Sequence, residues 1–218
     1  MSAPLDFAAL RQAMVERQLR AEGIRDRRVL DAMAKVPREA FVPADMRPFA
    51  YGDHALPIGH GQTISQPYVV AAMLEALDLR GQERVLDVGT GSGYVAALLG
   101  ELAAEVVSIE RVPALAAAAR AALARLGQAN VRVVEGDGSL GLPAAGPYEA
   151  ITVAAGGPQV PPSLVGQLTV GGRLVMPVGD DTSQELLCLT KAADGSTQRR
   201  RLGAVRFVPL VGQEGWPD

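Results

Sequence analysis

The chain has 218 residues, 48% of them apolar and 21% charged, with a formal net charge of −3. That length supports one core without covalent staples, and a single Cys excludes a disulfide framework or a Cys-based zinc cluster. The mildly acidic balance argues against broad binding to nucleic-acid backbones, which needs a basic surface.

The N-terminus, MSAPLDFAALRQAM, has no basic stretch followed by an apolar run, so no signal peptide is expected. No stretch of about 18 uncharged apolar residues suggests a membrane span. The expectation is a cytoplasmic monomer without membrane or nucleic-acid partners. Residues 6–22 read as an amphipathic helix, with Phe7, Leu10, Met14 and Leu19 near helical spacing and Gly23 as its stop. Asp26 is placed to cap a second helix carrying Val29, Leu30 and Met33, which ends before Pro37. Residues 37–67 are rich in Pro and Gly. Long irregular segments in compact domains are usually functional.

From Gln66 the pattern turns regular. A helix is predicted over 66–78, with Pro67 in its first turn, and a buried strand over 84–89. A helix over 94–102 and a strand over 106–110 follow. An Ala-rich helix starts at Pro113 and ends before Gly127. Strands are predicted over 131–137, 148–155 and 171–179, with a short helix over 163–168. Two more, 184–191 and 204–210, are separated by ADGSTQRRR, in which Asp194-Gly195 signals a hairpin turn. Alternating strands and helices argue for a parallel sheet covered on both faces, with an antiparallel edge.

The strongest local motif is Asp87-Val88-Gly89-Thr90-Gly91-Ser92-Gly93. A buried strand ends in a glycine-rich turn and feeds a helix whose first N–H groups are unpaired. No Gly or Ala stands three residues after Gly91, and no Lys follows, so both nucleotide-phosphate fingerprints are weakened. A plain tight turn is the bland alternative. Glu110 ends the next strand and can accept from ribose hydroxyls, or be an ordinary solvated Glu. Asp137-Gly138 ends the third, where Asp137 can accept from an exocyclic amine or simply form a turn. All lie at the carboxyl ends of successive parallel strands, where open α/β sheets bind ligands. An adenosine ligand without phosphates fits such a pocket, and S-adenosyl-L-methionine is the candidate.

Five segments carry a resemblance: PIGHGQTISQP (57–67), VLDVGTGSGY (85–94), VVEGDGSLG (133–141), PPSLVGQLTVGGRLVMPVG (161–179) and VRFVPLVG (205–212). From about Met14 to Gly212 the chain resembles the protein-L-isoaspartate O-methyltransferases. GTGSG and GDG are shared by many methyltransferases; PIGHGQTISQP is much more specific. The resemblance implies a Rossmann-like methyltransferase fold: a seven-stranded, mostly parallel sheet with an antiparallel edge strand and an N-terminal helical extension. It divides a single domain, 1–218, into N-terminal helices and substrate loop (1–65), cofactor core (66–180) and C-terminal hairpin (181–218).

The same resemblance implies that Ser65 lies at the substrate carboxylate and that the loop from Ile58 to Tyr68 shapes the peptide pocket. Val205 to Leu210, Phe207 included, would form the rest of the substrate side. Gln62, Thr63, Ile64, Asp87, Gly89, Thr90, Gly91, Ser92, Gly93, Glu110, Asp137 and Gly138 would hold S-adenosyl-L-methionine and, after transfer, S-adenosyl-L-homocysteine. The implied substrate is an isoaspartyl residue in a damaged protein or peptide, whose methyl ester cyclises to a succinimide. Two positions depart from the pattern. Ala155-Gly156-Gly157-Pro158 stands where the family more often has Ala-Ala-Pro, and the extra glycines are expected to loosen the pocket wall. Tyr68 stands where some members have His.

The chemistry matches the residue inventory. A carboxylate with a pKa of about 3–4 is already ionised at neutral pH and needs no general base. The two histidines, His54 and His60, read as loop or pocket lining. From position alone Ser65 is equally a helix N-cap or a substrate ligand; the resemblance implies both. Gln62 and Thr63 have loop hydrogen bonding as their alternative. Asp53 reads as a turn residue, Arg199-Arg200-Arg201 as a solvated hairpin face and Cys188 as core. The rivals are a methyltransferase of the same fold acting on nucleic acid or a small molecule, a relative dedicated to one peptide, and a non-catalytic cofactor-binding module. The first lacks the Asn/Asp-Pro-Pro-aromatic segment of base methylation. The third is disfavoured by the intact glycine loop, Glu110 and Asp137.

Overall fold

In the computed structural model, which describes residues 5–180 and 182–217, the first helix, α1, spans Phe7–Met14. Asp6 caps it by accepting from the Ala9 N–H at 3.0 Å, and it runs on as a wider π turn over Val15–Arg20. Helix α2 spans Arg27–Lys35 and is capped by Asp26 as expected, its Oδ1 accepting from the Arg28 N–H at 2.8 Å. It buries Val29, Leu30, Ala32 and Met33. Two 3-10 turns, Arg38–Phe41 and Arg47–Phe49, open the breaker-rich segment. That segment also holds a small hairpin, β1 Leu56–Gly59 and β2 Gln62–Ile64, hidden from the sequence by its glycines. Those glycines make the turn: Gly59, His60 and Gly61 sit at φ +87°, +53° and +70°. Helix α3, Pro67–Leu77, follows.

The regular half alternates β3 Arg84–Val88, α4 Tyr94–Leu102, β4 Glu105–Glu110, α5 Pro113–Arg125, β5 Val131–Glu135, β6 Tyr148–Val153 and α6 Pro162–Gly166. Strands β7 Leu168–Gly179, β8 Gln184–Lys191 and β9 Thr197–Val205 complete the sheet. The order is β5-β4-β3-β6-β7-β8-β9. Strands β5 to β7 are parallel; β8 runs against both β7 and β9. The period of two sorts side chains between the faces. Val85, Val106, Ala150, Val175 and Leu186 pack under α1 to α5, whereas Leu86, Val107, Ile151, Leu174 and Leu189 pack on the face carrying α6.

One expected strand is displaced. The final strand is Thr197–Val205, so Arg199–Arg201 lie on it and 206–210 do not. An apolar pattern reports burial, and β9 is an edge strand with one ladder and an exposed side, so arginines fill it without cost. The apolar stretch after it crosses the carboxyl edge of the sheet instead, with the Gly156 N–H donating to Val208 O and the Leu210 N–H to Gly156 O, both at 2.8 Å. The Asp194-Gly195 turn is where it was expected, with Gly195 at φ +84°.

Candidate active site

The site begins where β3 ends. Gly89, Gly91 and Gly93 sit at φ +90°, +53° and +90°, a backbone that side chains strain. The turn this allows bends over the end of β4, and Glu110 fastens it. Its Oε2 accepts from the Gly91 N–H and its Oε1 from the Val112 N–H, each at 2.8 Å. A carboxylate has about four acceptor positions, so Glu110 keeps capacity for further donors. Gly138 follows β5, and a Cβ there would lie 2.5 Å from Val88 Cγ1. Above the loop is a cleft bordered by Gln62–Ser65, Val88–Ser92, Glu110, Gly138 and the Val208–Val211 crossing.

Asp87 does not border this cleft. It is fully buried on the helix-covered face, beside Ser108 and Thr152 in the sheet register. Ser108 Oγ donates to Asp87 Oδ2 at 2.7 Å and pairs with Thr90 Oγ1 at 2.5 Å. Asp87 therefore reaches the cleft through Ser108 and Thr90. Burial, with a smaller push from the Glu110 charge, raises its carboxyl to about 7 against the Ser108 hydrogen bond. Asp87 Oδ1 and Thr152 Oγ1 are buried without partners. Asp137 also faces elsewhere. Its Oδ1 accepts from the Ser139 N–H and Oγ–H, and its Oδ2 from the Gln213 N–H at 2.8 Å. Burial alone would raise the Asp137 carboxyl, but these hydrogen bonds hold it below the usual range. Asp137 thus ties down the C-terminal tail beside the cleft, and Trp216 Nε1 donates to Gly156 O at 3.0 Å in the same tie.

The opposite side of the cleft is built from the irregular segment. Ser65 borders the main cleft and a second hollow lined by Gln66, Val69 and Ala204–Val208. Among the described residues its Oγ has no hydrogen-bond partner. It is not the cap of α3: Gln66 holds that position without a side-chain bond. Asp53 does the work instead, its Oδ1 accepting from the Tyr68 N–H at 3.1 Å and its Oδ2 from Gln66 Nε2 at 2.6 Å. Asp53 is therefore an anchor of the Ser65 corner and not merely a turn residue. Gln62, Thr63 and Ile64 border the cleft from β2. Ile58 approaches Gly91, whose Cβ position is 3.4 Å from Ile58 Cδ1. Tyr68 packs on the core, and Val205 and Phe207 line the second hollow. His54 and His60 are exposed and border neither space.

Two supports escaped the sequence reading. Arg38 is fully buried; its Nε donates to Ala50 O and its Nη2 to Ser65 O, both at 2.8 Å. Gln184, also buried, pairs with both backbone groups of Phe207: its Oε1 accepts from the N–H at 2.8 Å and its Nε2 donates to the C=O at 3.2 Å. Their polarity in apolar surroundings became a signal only once burial was known. The Gly156-Gly157 departure reads differently too. A Cβ on Gly156 would fall 2.5 Å from Gln184 Nε2, and one on Gly157 would fall 3.0 Å from Gln159 O. These glycines let the wall close tightly and do not loosen it.

The arrangement offers a Lys-free cleft with no cluster of metal-ligating side chains among the described residues. The model of the family "Protein-L-isoaspartate(D-aspartate) O-methyltransferase (PCMT)" matches residues 10–215. The chain belongs to this family. The methyltransferase is 60% identical over 211 residues to protein-L-isoaspartate O-methyltransferase 1 of Rhodopseudomonas palustris strain HaA2, covering 96% of this chain and 86% of the relative. A solved protein-L-isoaspartate O-methyltransferase superposes with a TM-score of 0.86 at 30% identity, covering 94% of this chain and 67% of that one. A Plasmodium falciparum structure of the same description, in complex with S-adenosyl-L-homocysteine, gives a TM-score of 0.79 at 26% identity, covering 91% and 96%. The methyltransferase uses S-adenosyl-L-methionine and methylates L-isoaspartyl residues, the first step of their repair. No helix among its described residues is long and apolar enough to cross a membrane.

Proposed function

We propose that Ser65 orients the substrate α-carboxylate at the boundary between the two hollows, with the methyl donor on the glycine-loop side. The observation that carries this is Ser65, which borders both spaces and whose hydroxyl has no partner among the described residues. Gly89, Thr90, Gly91, Ser92 and Gly93 would follow the donor closely, with Gln62, Thr63 and Ile64 opposite. Glu110 would accept from ribose hydroxyls. Gly138 would leave room beside Val88. Asp87 would act through Ser108 and Thr90, and Asp137 through the tail it anchors. Ile58, Tyr68, Val205 and Phe207 would shape the peptide side.

When bound, S-adenosyl-L-methionine supplies an electrophilic methyl group whose bonding pair stays with sulfur as carbon joins the carboxylate oxygen. The residues have little other chemistry to perform. The carboxylate is ionised, so no side chain has to remove a proton. Ser65 donates one hydrogen bond and aims an oxygen lone pair. Ile64, Val88 and Leu210 keep water out, which favours a step in which opposite charges are neutralised. Alignment supplies most of the acceleration. The reading keeps the enzyme a single-domain, cytoplasmic monomer without nucleic-acid partners, and the net charge of −3 supports the last point.

A paired assay tests the proposal. The enzyme should form a base-labile ester on an isoaspartyl peptide and leave its aspartyl isomer untouched; equal labelling of both would refute the specificity. Ser65→Ala should lose turnover while still binding S-adenosyl-L-homocysteine, and unchanged turnover would remove Ser65 from the mechanism.

A further inference from the structure

We infer that Arg38 is a positioning residue that couples the acceptor corner to the donor loop, a role that rests on the reading of Ser65 above. Its guanidinium is fully buried and grips two carbonyls, Ala50 O and Ser65 O. Its Cζ lies 5.0 Å from the ring centroid of Tyr94. Tyr94 is the first residue of α4 and directly follows Gly93, the last glycine of the donor loop. One planar cation therefore touches the residue that follows β2 and the start of α4. Phe41, from the same 3-10 turn as Arg38, meets the Tyr94 ring edge-on at 5.6 Å and steadies the stack.

Space filling alone does not explain this choice of residue. Burying a charge costs several kcal/mol, and an apolar side chain would fill the space more cheaply. No carboxylate lies within ion-pair distance of Arg38 among the described residues, and its Nη1 is buried without a partner. What the guanidinium does and an apolar group cannot is hold two carbonyls in a fixed fork while placing a cation over an aromatic ring. A Lys ammonium has three donors but no planar fork, so it cannot reproduce these two bonds in the same fixed geometry. The Ser65 carbonyl is the point gripped, so movement of the donor loop through Tyr94 is transmitted to the acceptor corner.

The test uses the full-length enzyme, an isoaspartyl peptide and S-adenosyl-L-homocysteine, with calorimetry and steady-state kinetics. Wild-type protein should bind the peptide several-fold more tightly when saturated with S-adenosyl-L-homocysteine. Arg38→Lys should keep the Kd for S-adenosyl-L-homocysteine within about threefold, bring that enhancement close to one and lower kcat by about 10–100-fold. Tyr94→Leu, which removes the ring beneath the guanidinium, should also weaken the coupling and serves if Arg38→Lys does not fold. Absence of coupling in the wild type, or unchanged coupling and kcat in the folded variants, overturns the inference. Failure of both variants to fold overturns it in favour of a purely structural role. Unchanged turnover in Ser65→Ala would instead sink the reading of Ser65.

Discussion

The proposed donor and acceptor halves of the cleft are built by different means. The donor half is local. Gly89 to Gly93, Glu110 and Gly138 follow the ends of adjacent parallel strands, and backbone geometry shapes them. The acceptor half is assembled over distance. Ser65 is held by Arg38 and its corner by Asp53, while Phe207 is held by Gln184. A regular sheet edge can present a ligand with backbone alone. An irregular loop needs side chains to replace the ladder it lacks, because buried backbone groups must be paired.

This contrast can be broken most severely on the donor side. Gly91→Val places a β-branched residue at φ +53°, a strain of about 2–3 kcal/mol. S-adenosyl-L-homocysteine affinity should fall about 30–100-fold in calorimetry while far-UV circular dichroism stays unchanged. Comparable affinity would mean that backbone shape does not control the donor side. On the acceptor side, Gln184→Leu strands the Phe207 N–H and C=O and should destabilise by about 1–3 kcal/mol. The peptide KM should rise about tenfold with donor affinity nearly constant. If both affinities fall together, the halves are not separately built.

Asp87 sharpens the comparison by pH. Its folded pKa of about 7 lies above the usual carboxylate value. Between about pH 4 and 7 the folded state therefore holds the extra proton, and stability falls as pH rises through that window. The slope is at most about 1.4 kcal/mol per pH unit, and it levels off above the folded pKa. Asp87→Asn, which cannot ionise, should flatten the thermal-melting profile over that range and melt higher than wild type at pH 8. Parallel profiles for the two proteins would show that Asp87 does not titrate there. The smallest effect belongs to the edge strand. Arg201 meets Glu185 at 3.2 Å with an exposed guanidinium, so Arg201→Gln should change stability by about 0.5 kcal/mol or less, read by urea unfolding, and leave turnover unaltered.

The donor half was legible in the sequence because its signals are short-range. A buried strand, a glycine turn and a helix occur in order, and an acid ends each of the next two strands. The strands β3 to β7 follow the same logic. Legibility failed where a partner is distant or burial is one-sided. Arg199 to Arg201 concealed β9 because an edge strand does not need apolar residues. Ser65 looked like a helix cap because its neighbour is a helix start, while the actual cap, Asp53, arrives from outside the helix. Asp87 belongs to the motif, yet its side chain points to the opposite side of the strand from the cleft. The tail from Gln213 to Trp216 carried no local pattern at all.

The amino-acid order alone therefore determined the alternation of strands and helices, the glycine turn and the sheet edge at which the cleft lies, since each follows from backbone preferences within a few residues. Only the tertiary structure decided that Arg38, Asp53 and Gln184 hold the acceptor corner and that Asp87 acts from beneath the loop. Those roles depend on which polar groups become buried together, and burial is a property of the packed whole.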